Sequence, residues 1–317
     1  MSSIVIAGDT SGTVTLQAPA IAGTTTLNLP AASGTVPTVE TTYSGFKNRL
    51  INGAFNIDQR NAGAAKTITA GAALAYTVDR WYAYSTGANV TGQRVAGTSP
   101  NKYNYQFTGA ASVTKIGFAQ RIEAINCQDL ANTTATLSVD LANSLLTTGT
   151  WTAWYANTED TFGTLASPTR TQIATGTFTV NSTLTRYTTN ITVPSAAITG
   201  IEIEFSVGAQ TSGTWTIGRV QLEAGSTATP FETRSVGQEL ALCQRYYEVG
   251  LEEFSCAAGP NGAANIAVHF RQKKRAQPTM TTTNSFNVGG GTTVDGVSLW
   301  KSGSQSAIVS WTASSEI

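Results

Sequence analysis

GIEIEFSVGAQTSGTWTIGRVQLEAG, residues 200–225, decides the fold. Its first half alternates Ile201, Ile203 and Phe205 with Glu202 and Glu204. Successive side chains of a strand point to opposite faces, so this is a strand with one buried and one solvated side. The pattern puts the three apolar residues in a core and Glu202 and Glu204 on a solvated outer face. Small polar residues and Gly213 then break the strand, and TWTIGRVQLEAG resumes it.

The same texture extends toward the amino end: YTVDRWYAYS (76–85), NVTGQRVAG (89–97), KYNYQFTGA (102–110), KIGFAQRIEA (115–124), TATLSVDLAN (134–143), TWTAWYANT (150–158), ATGTFTVN (174–181) and LTRYTTNITV (184–193). Short alternating segments spaced by turn residues, with no helical period between them, predict an all-β domain. An antiparallel β-sandwich of jelly-roll type is expected over residues 46–234. Trp81 and Trp215 are expected in its interior, and Tyr103, Tyr105 and Phe107 share one face that reads as buried.

Beyond this domain, TRSVGQELALCQRYYEV (233–249) reads as one short helix, with Ser235 as its cap and Glu239 one position later than a capping box would place it. Strands resume as NIAVHFRQ (265–272), TTVDGVSLWK (293–301) and QSAIVSWTAS (305–314), a small C-terminal β unit within residues 235–317. In front lies a refrain over residues 1–45. SGTVTLQAPA and AGTTTLNLPA each offer a glycine turn, a short strand and a proline, and Gly12, Pro19, Gly23, Pro30 and Gly34 mark the repeat. Strands this few hold no core of their own. The segment is expected to pair with the same segment of neighbouring chains.

Charged residues make up 12% of the chain and the net charge is zero. No basic stripe appears beyond RQKKR (271–275), so counterion release has little to work with and nucleic acid is not an expected partner. The opening MSSIVIAGDTSG lacks the features of a secretory signal, and no stretch approaches the length of a membrane span. Synthesis and folding in the cytoplasm, without membrane insertion, are expected. The three cysteines, Cys127, Cys243 and Cys256, fit reduced thiols, with Cys243 packed as a small apolar residue.

Several motifs together carry a resemblance: RLINGAF (49–55), YTVDRW (76–81), QRIE (120–123), LTRYTTNITVP (184–194), VQLEAGSTATPFETRSVGQELALCQRYYE (220–248) and FRQKKRAQPTM (270–280). The set resembles the distal region of bacteriophage tail-fibre and related receptor-binding appendage proteins, and the refrain is similar to the leaders in front of such domains. The resemblance implies a virion component, usually a homotrimer, with a jelly-roll domain like that of carbohydrate-binding modules. Its partners would be its own copies, other virion proteins through the N-terminal segment, and a host cell-surface glycan. No long shaft is present, so a short fibre or spike is implied; a capsid head fibre or decoration protein would share the fold and the leader.

Catalysis is not expected. Glu202 and Glu204 are the carboxylate pair on one strand face, and the single histidine, His269, alternates with Val268 and Phe270 without an announced partner. Sugar binding fits better, because ring faces dock on the C–H faces of pyranoses while neutral polar groups bond the hydroxyls. Trp151, Trp154 and Tyr155, ahead of the polar ANTED loop, form the expected glycan platform, acting through rings rather than through charge. No cofactor is expected. Jelly rolls of this type often hold structural Ca²⁺, which nominates Asn52, Asp58 and Glu223, yet no DxDxDG loop is present and the metal stays unassigned.

Overall fold

Four nested strand pairs define the fold in the computed structural model, which describes residues 3–7, 13–17, 46–71, 73–256, 263–283, 286–303 and 305–317. The chain divides into two units, Met1–Gly45 and Phe46–Ile317. In the first, β1 (Ser3–Ala7) pairs antiparallel with β2 (Thr13–Gln17), Ser3 opposite Gln17. The expected TVTLQ strand is thus present, and the partner along one of its edges is its own chain. Gly12, Pro19, Gly23, Pro30 and Gly34 lie outside the described residues.

In the second unit come β3 (Lys66–Ile68), β4 (Ala75–Tyr76), β5 (Tyr82–Thr86), β6 (Val90–Ala96), β7 (Tyr103–Thr108), β8 (Lys115–Ile122) and β9 (Thr134–Asn143). They are followed by β10 (Thr148–Ala156), β11 (Arg170–Thr179), β12 (Thr185–Thr192), β13 (Ile201–Val207) and β14 (Thr214–Ala224). The pairs β10–β11, β9–β12, β8–β13 and β7–β14 are all antiparallel. They are the rungs of one long hairpin. Folded over, it deals its pairs alternately into two sheets, β11-β10-β13-β8-β5-β4 and β12-β9-β14-β7-β6-β3. That winding is a jelly roll.

The sequence pattern explains why the two sheets face each other. Ile201, Ile203 and Phe205 of β13 meet Leu137, Val139 and Leu141 of β9 in one buried core. At its centre Phe118 stacks on Trp81 and Tyr105, with ring centroids 4.9 and 5.0 Å apart, and Trp215 stacks on Phe107 at 5.3 Å. The expected burial of Trp81, Trp215, Tyr105 and Phe107 is observed, while Tyr103 is only partly buried. Cys127 and Cys243 are buried free thiols.

Two elements differ from expectation. YTVDRWYAYS is not one strand: Thr77 and Trp81 close a tight turn between β4 and β5, with Arg80 at φ 72°. The helix is shorter, α1 covering Val236–Gln244, with Gln238 rather than Glu239 completing the capping box on Ser235. The rest of the expected helix continues as β15 (Tyr247–Cys256). The C-terminal strands β16 (Ala263–His269), β17 (Thr279–Thr282), β18 (Asn287–Val288), β19 (Gly296–Ser302) and β20 (Gln305–Ser314) form with it two three-stranded sheets, β15-β20-β17 and β16-β19-β18. A second core of Val268, Leu299, Val309 and Trp311 holds these together. This part is tied to the sandwich where Glu123 accepts from Arg245 and from the Tyr246 hydroxyl at 2.7 Å, and to α1 where Lys274 Nζ donates to the Gln244 carbonyl at 2.5 Å; within it, Lys274 also donates to Glu248.

Candidate functional site

Both outer faces of the jelly roll carry polar chemistry. On the β8–β13 sheet, Glu202 and Glu204 do project outward, but the expectation of a solvated face is corrected: they are 0% and 3% exposed. Each is engaged by cations. Arg121 donates from Nε to Glu202 Oε2 at 2.7 Å, and Arg170 contacts the other oxygen of that carboxylate. Arg170 Nη2 and Lys115 Nζ reach Glu204 at 3.2 and 3.0 Å, and the Tyr84 hydroxyl donates to it at 2.6 Å. Burial follows from distant segments laid across the sheet. Leu74, Tyr76 and Leu165 pack on Tyr82 and Tyr84, and residues 316–317 bond Arg60, Arg80 and Arg121.

Burial alone would push the Glu204 carboxyl up, but Lys115, Tyr84 and Arg170 more than reverse this and hold it below the usual carboxylate range. A general acid in glycoside hydrolysis requires the opposite shift. This face is therefore a saturated ion-pair network.

The expected glycan platform does not assemble as one surface. Trp151 is 5% exposed and belongs to the core, so it is withdrawn from the expected sugar contacts. Residues 151, 153 and 155 lie opposite the inward residues 205, 203 and 201 of β13, which turns Tyr155 toward the interior as well. Trp154 alone faces outward, and the Arg170 guanidinium sits over its ring at 4.3 Å.

Asn52, Asp58 and Glu223 do not converge either. Asn52 bonds the carbonyls of Ile57 and Asp79, Asp58 accepts from the Asn61 and Gly63 backbone, and Glu223 holds Gln221 and Thr229. Among the described residues no group of three or more His, Cys, Asp or Glu side chains is placed to hold a metal. His269 is exposed on β16 between the buried Val268 and Phe270.

The β7–β14 face is built differently. Residues 226–234 cross it, fastened where Gln221 Oε1 accepts from Glu232 N at 2.7 Å and Glu223 Oε1 accepts from Thr229 N at 3.0 Å. Between this strap, the 97–102 turn and the 53–56 segment lies a cleft of about 520 Å³. Tyr103, Phe231, Pro100 and Pro230 give it apolar walls; Asn101 and Arg219 give it polar ones. Arg94, which does not line the cleft, backs the Tyr103 ring at 4.4 Å.

A β-bulge shapes the floor. Between Gly218 and Gln221, two residues of β14 oppose one of β9, and Arg219 takes φ 39°. Such a bulge re-aims a side chain, and here the Arg219 Nε donates to Asp140 Oδ2 at 2.6 Å. Gly218 leaves room for two side-chain amides: a Cβ there would lie 2.4 Å from Asn104 Oδ1 and 2.5 Å from Asn101 Nδ2, so both would have to shift. The sequence carried a signal for this bulge. Its buried positions switch parity within one strand, from Trp215 and Ile217 to Val220 and Leu222, around a glycine. Nothing comparable marked Phe231 or Asn101, which reach the cleft from loops.

No family model matches the chain, and no curated protein matches it. Among solved structures it is similar to the enzymatically active domain of bacteriophage CBA120 tailspike protein 4, at 15% identity and TM-score 0.34 over 57% of this chain and 22% of that one. It is also similar to TmCBM61 in complex with β-1,4-galactotriose, at 13% identity and TM-score 0.32 over 46% and 88%. A third is the C-terminal family 22 carbohydrate-binding module of Clostridium thermocellum Xyn10B, at 11% identity and TM-score 0.34 over 48% and 91%. The chain spans less than a quarter of the tailspike structure. At these values nothing those proteins bind or cleave carries over.

Proposed function

We propose that the chain is a glycan-binding appendage protein of a phage virion, a short tail fibre or spike, and that the cleft over β7 and β14 is its sugar site. The cleft itself carries this reading. Its volume of about 520 Å³ falls within the range of small-ligand sites, and apolar walls with a few convergent polar groups are what such sites require. The virion role is supported by the resemblance of residues 49–55, 184–194 and 220–248 to phage appendage proteins. The protein acts as a homotrimer attached through residues 1–45, and it binds without cleaving.

Two measurements test this. Isothermal titration of the full chain against purified surface polysaccharide of the host should give binding that falls at least about tenfold in Tyr103→Ala, with no reducing ends released; no binding, or binding indifferent to Tyr103, overturns the site. Electron microscopy of particles labelled with antibody to residues 236–317 should mark the tail. Label on the head overturns the tail reading in favour of a head fibre.

A further inference from the structure

We infer that the cleft takes an acidic saccharide, its carboxylate held by Arg219 and Lys102. This rests on the glycan reading of the cleft and names the class of sugar. Arg219 is fixed at two points: its backbone by the bulge, its Nε by Asp140 Oδ2. Its side chain is 24% exposed, and among the described residues neither Nη group is hydrogen-bonded. The free edge of a guanidinium clamped in this way is a planar fork of the kind that bonds a carboxylate bidentately, with little rotamer entropy left to lose.

Asp140 does not neutralise that fork. The same carboxylate also accepts from Arg186 Nη1 at 3.2 Å and from Asn101 Nδ2 at 3.0 Å. Lys102, exposed on the adjoining turn, adds a third cation. On the β7–β14 side, then, three cations, Arg186, Arg219 and Lys102, stand against two carboxylates, Asp140 and Glu223, and Glu223 is engaged by Gln221 and Thr229. The acids that line the cleft, Glu232 and Glu239, are already engaged. Glu232 accepts from Asn48 N at 2.6 Å, Glu239 accepts from Asn52 N, and Arg234 lies against both. A neutral sugar leaves the cationic wall without a counter-charge. A uronate or sialoside supplies one while its ring packs on Tyr103 and Phe231.

The test is a panel of uronate and sialic-acid oligosaccharides beside neutral oligosaccharides of the same length, measured with the full chain, Arg219→Gln and Lys102→Gln. Acidic members should bind about tenfold or more tightly than neutral ones. That preference should shrink in both variants and weaken several-fold between about 0.05 and 0.5 M salt. Lys102 is exposed, so its variant folds; its Nζ also lies 5.4 Å from the centre of the Tyr103 ring, and the neutral members of the panel report any change in stacking separately from charge. Equal binding of both classes, or a preference unchanged in both variants, overturns the acidic assignment and leaves the glycan site standing. No binding of either class overturns both.

Discussion

The β8–β13 face holds Glu202 and Glu204 among Arg121, Arg170 and Lys115, closed over by residues 74–76, 165 and 316–317. The β7–β14 face holds Asp140 between Arg186 and Arg219, and is only partly strapped by residues 226–234. Similar side chains alternate outward from both sheets, yet one face is sealed and the other keeps a cleft. Polar composition therefore does not mark a binding face in this fold. What decides is whether each cation has an unused edge, and whether chain from elsewhere covers it.

The largest difference should appear on deleting the central carboxylate of each face. Glu202→Ala removes the carboxylate between two guanidinium groups that are about a tenth exposed, leaving Arg121, among the described residues, only backbone carbonyls and Arg170 only Glu204 to bond. Breaking a buried pair in this way costs about 3–5 kcal/mol. Asp140→Ala leaves Arg186 and Arg219, each about a quarter exposed and able to rehydrate, so about 2 kcal/mol is expected. Urea unfolding of both variants checks this. Equal losses would mean the β8–β13 network is no more sealed than the open face.

Glu204 sharpens the same contrast through pH. Its folded-state pKa is depressed, so its contribution to stability is present above the unfolded carboxylate value and disappears as pH falls through the folded value. Glu204→Gln should cost about 2 kcal/mol at pH 7. The gap to wild type should hold down to about pH 5 and close below the ordinary Glu pKa of about 4.3. A gap that widens in acid would show that Lys115, Tyr84 and Arg170 do not govern this carboxyl.

Much of this architecture was legible in the alternating sequence. Ile201, Ile203 and Phe205 point inward as their period requires, and each of the ten predicted sandwich segments contains a strand. YTVDRWYAYS misleads because alternation says nothing about a turn whose strain sits on one non-glycine residue, Arg80. The expected helix overran because residues 247–256 pair with residues 305–314, a partnership far outside any local window. The site was less legible for the same reason. Glu202 and Glu204 were assigned to the correct face, but their cover comes from residues 74–76, 165 and 316–317, all outside any local sequence window, and the cleft draws on three loops.

The smallest expected effect belongs to the residue that the sequence favoured most. Trp154 is the outward ring of β10, with Arg170 over it and its indole Nε1 buried without a hydrogen-bond partner among the described residues. Trp154→Ala removes a cation–π contact worth about 1 kcal/mol at a partly exposed site. It also loosens Arg170, which bridges Glu202 and Glu204, so a modest loss of thermal stability is expected. It should not change the affinity for host polysaccharide by more than about twofold, because neither Trp154 nor Arg170 lines the cleft. The two variants form a pair. If Tyr103→Ala weakens sugar binding and Trp154→Ala does not, the open face is the binding face. If the pattern is reversed, the sugar displaces Arg170 from the indole, and the sealed face is a closed form of the site rather than a structural network.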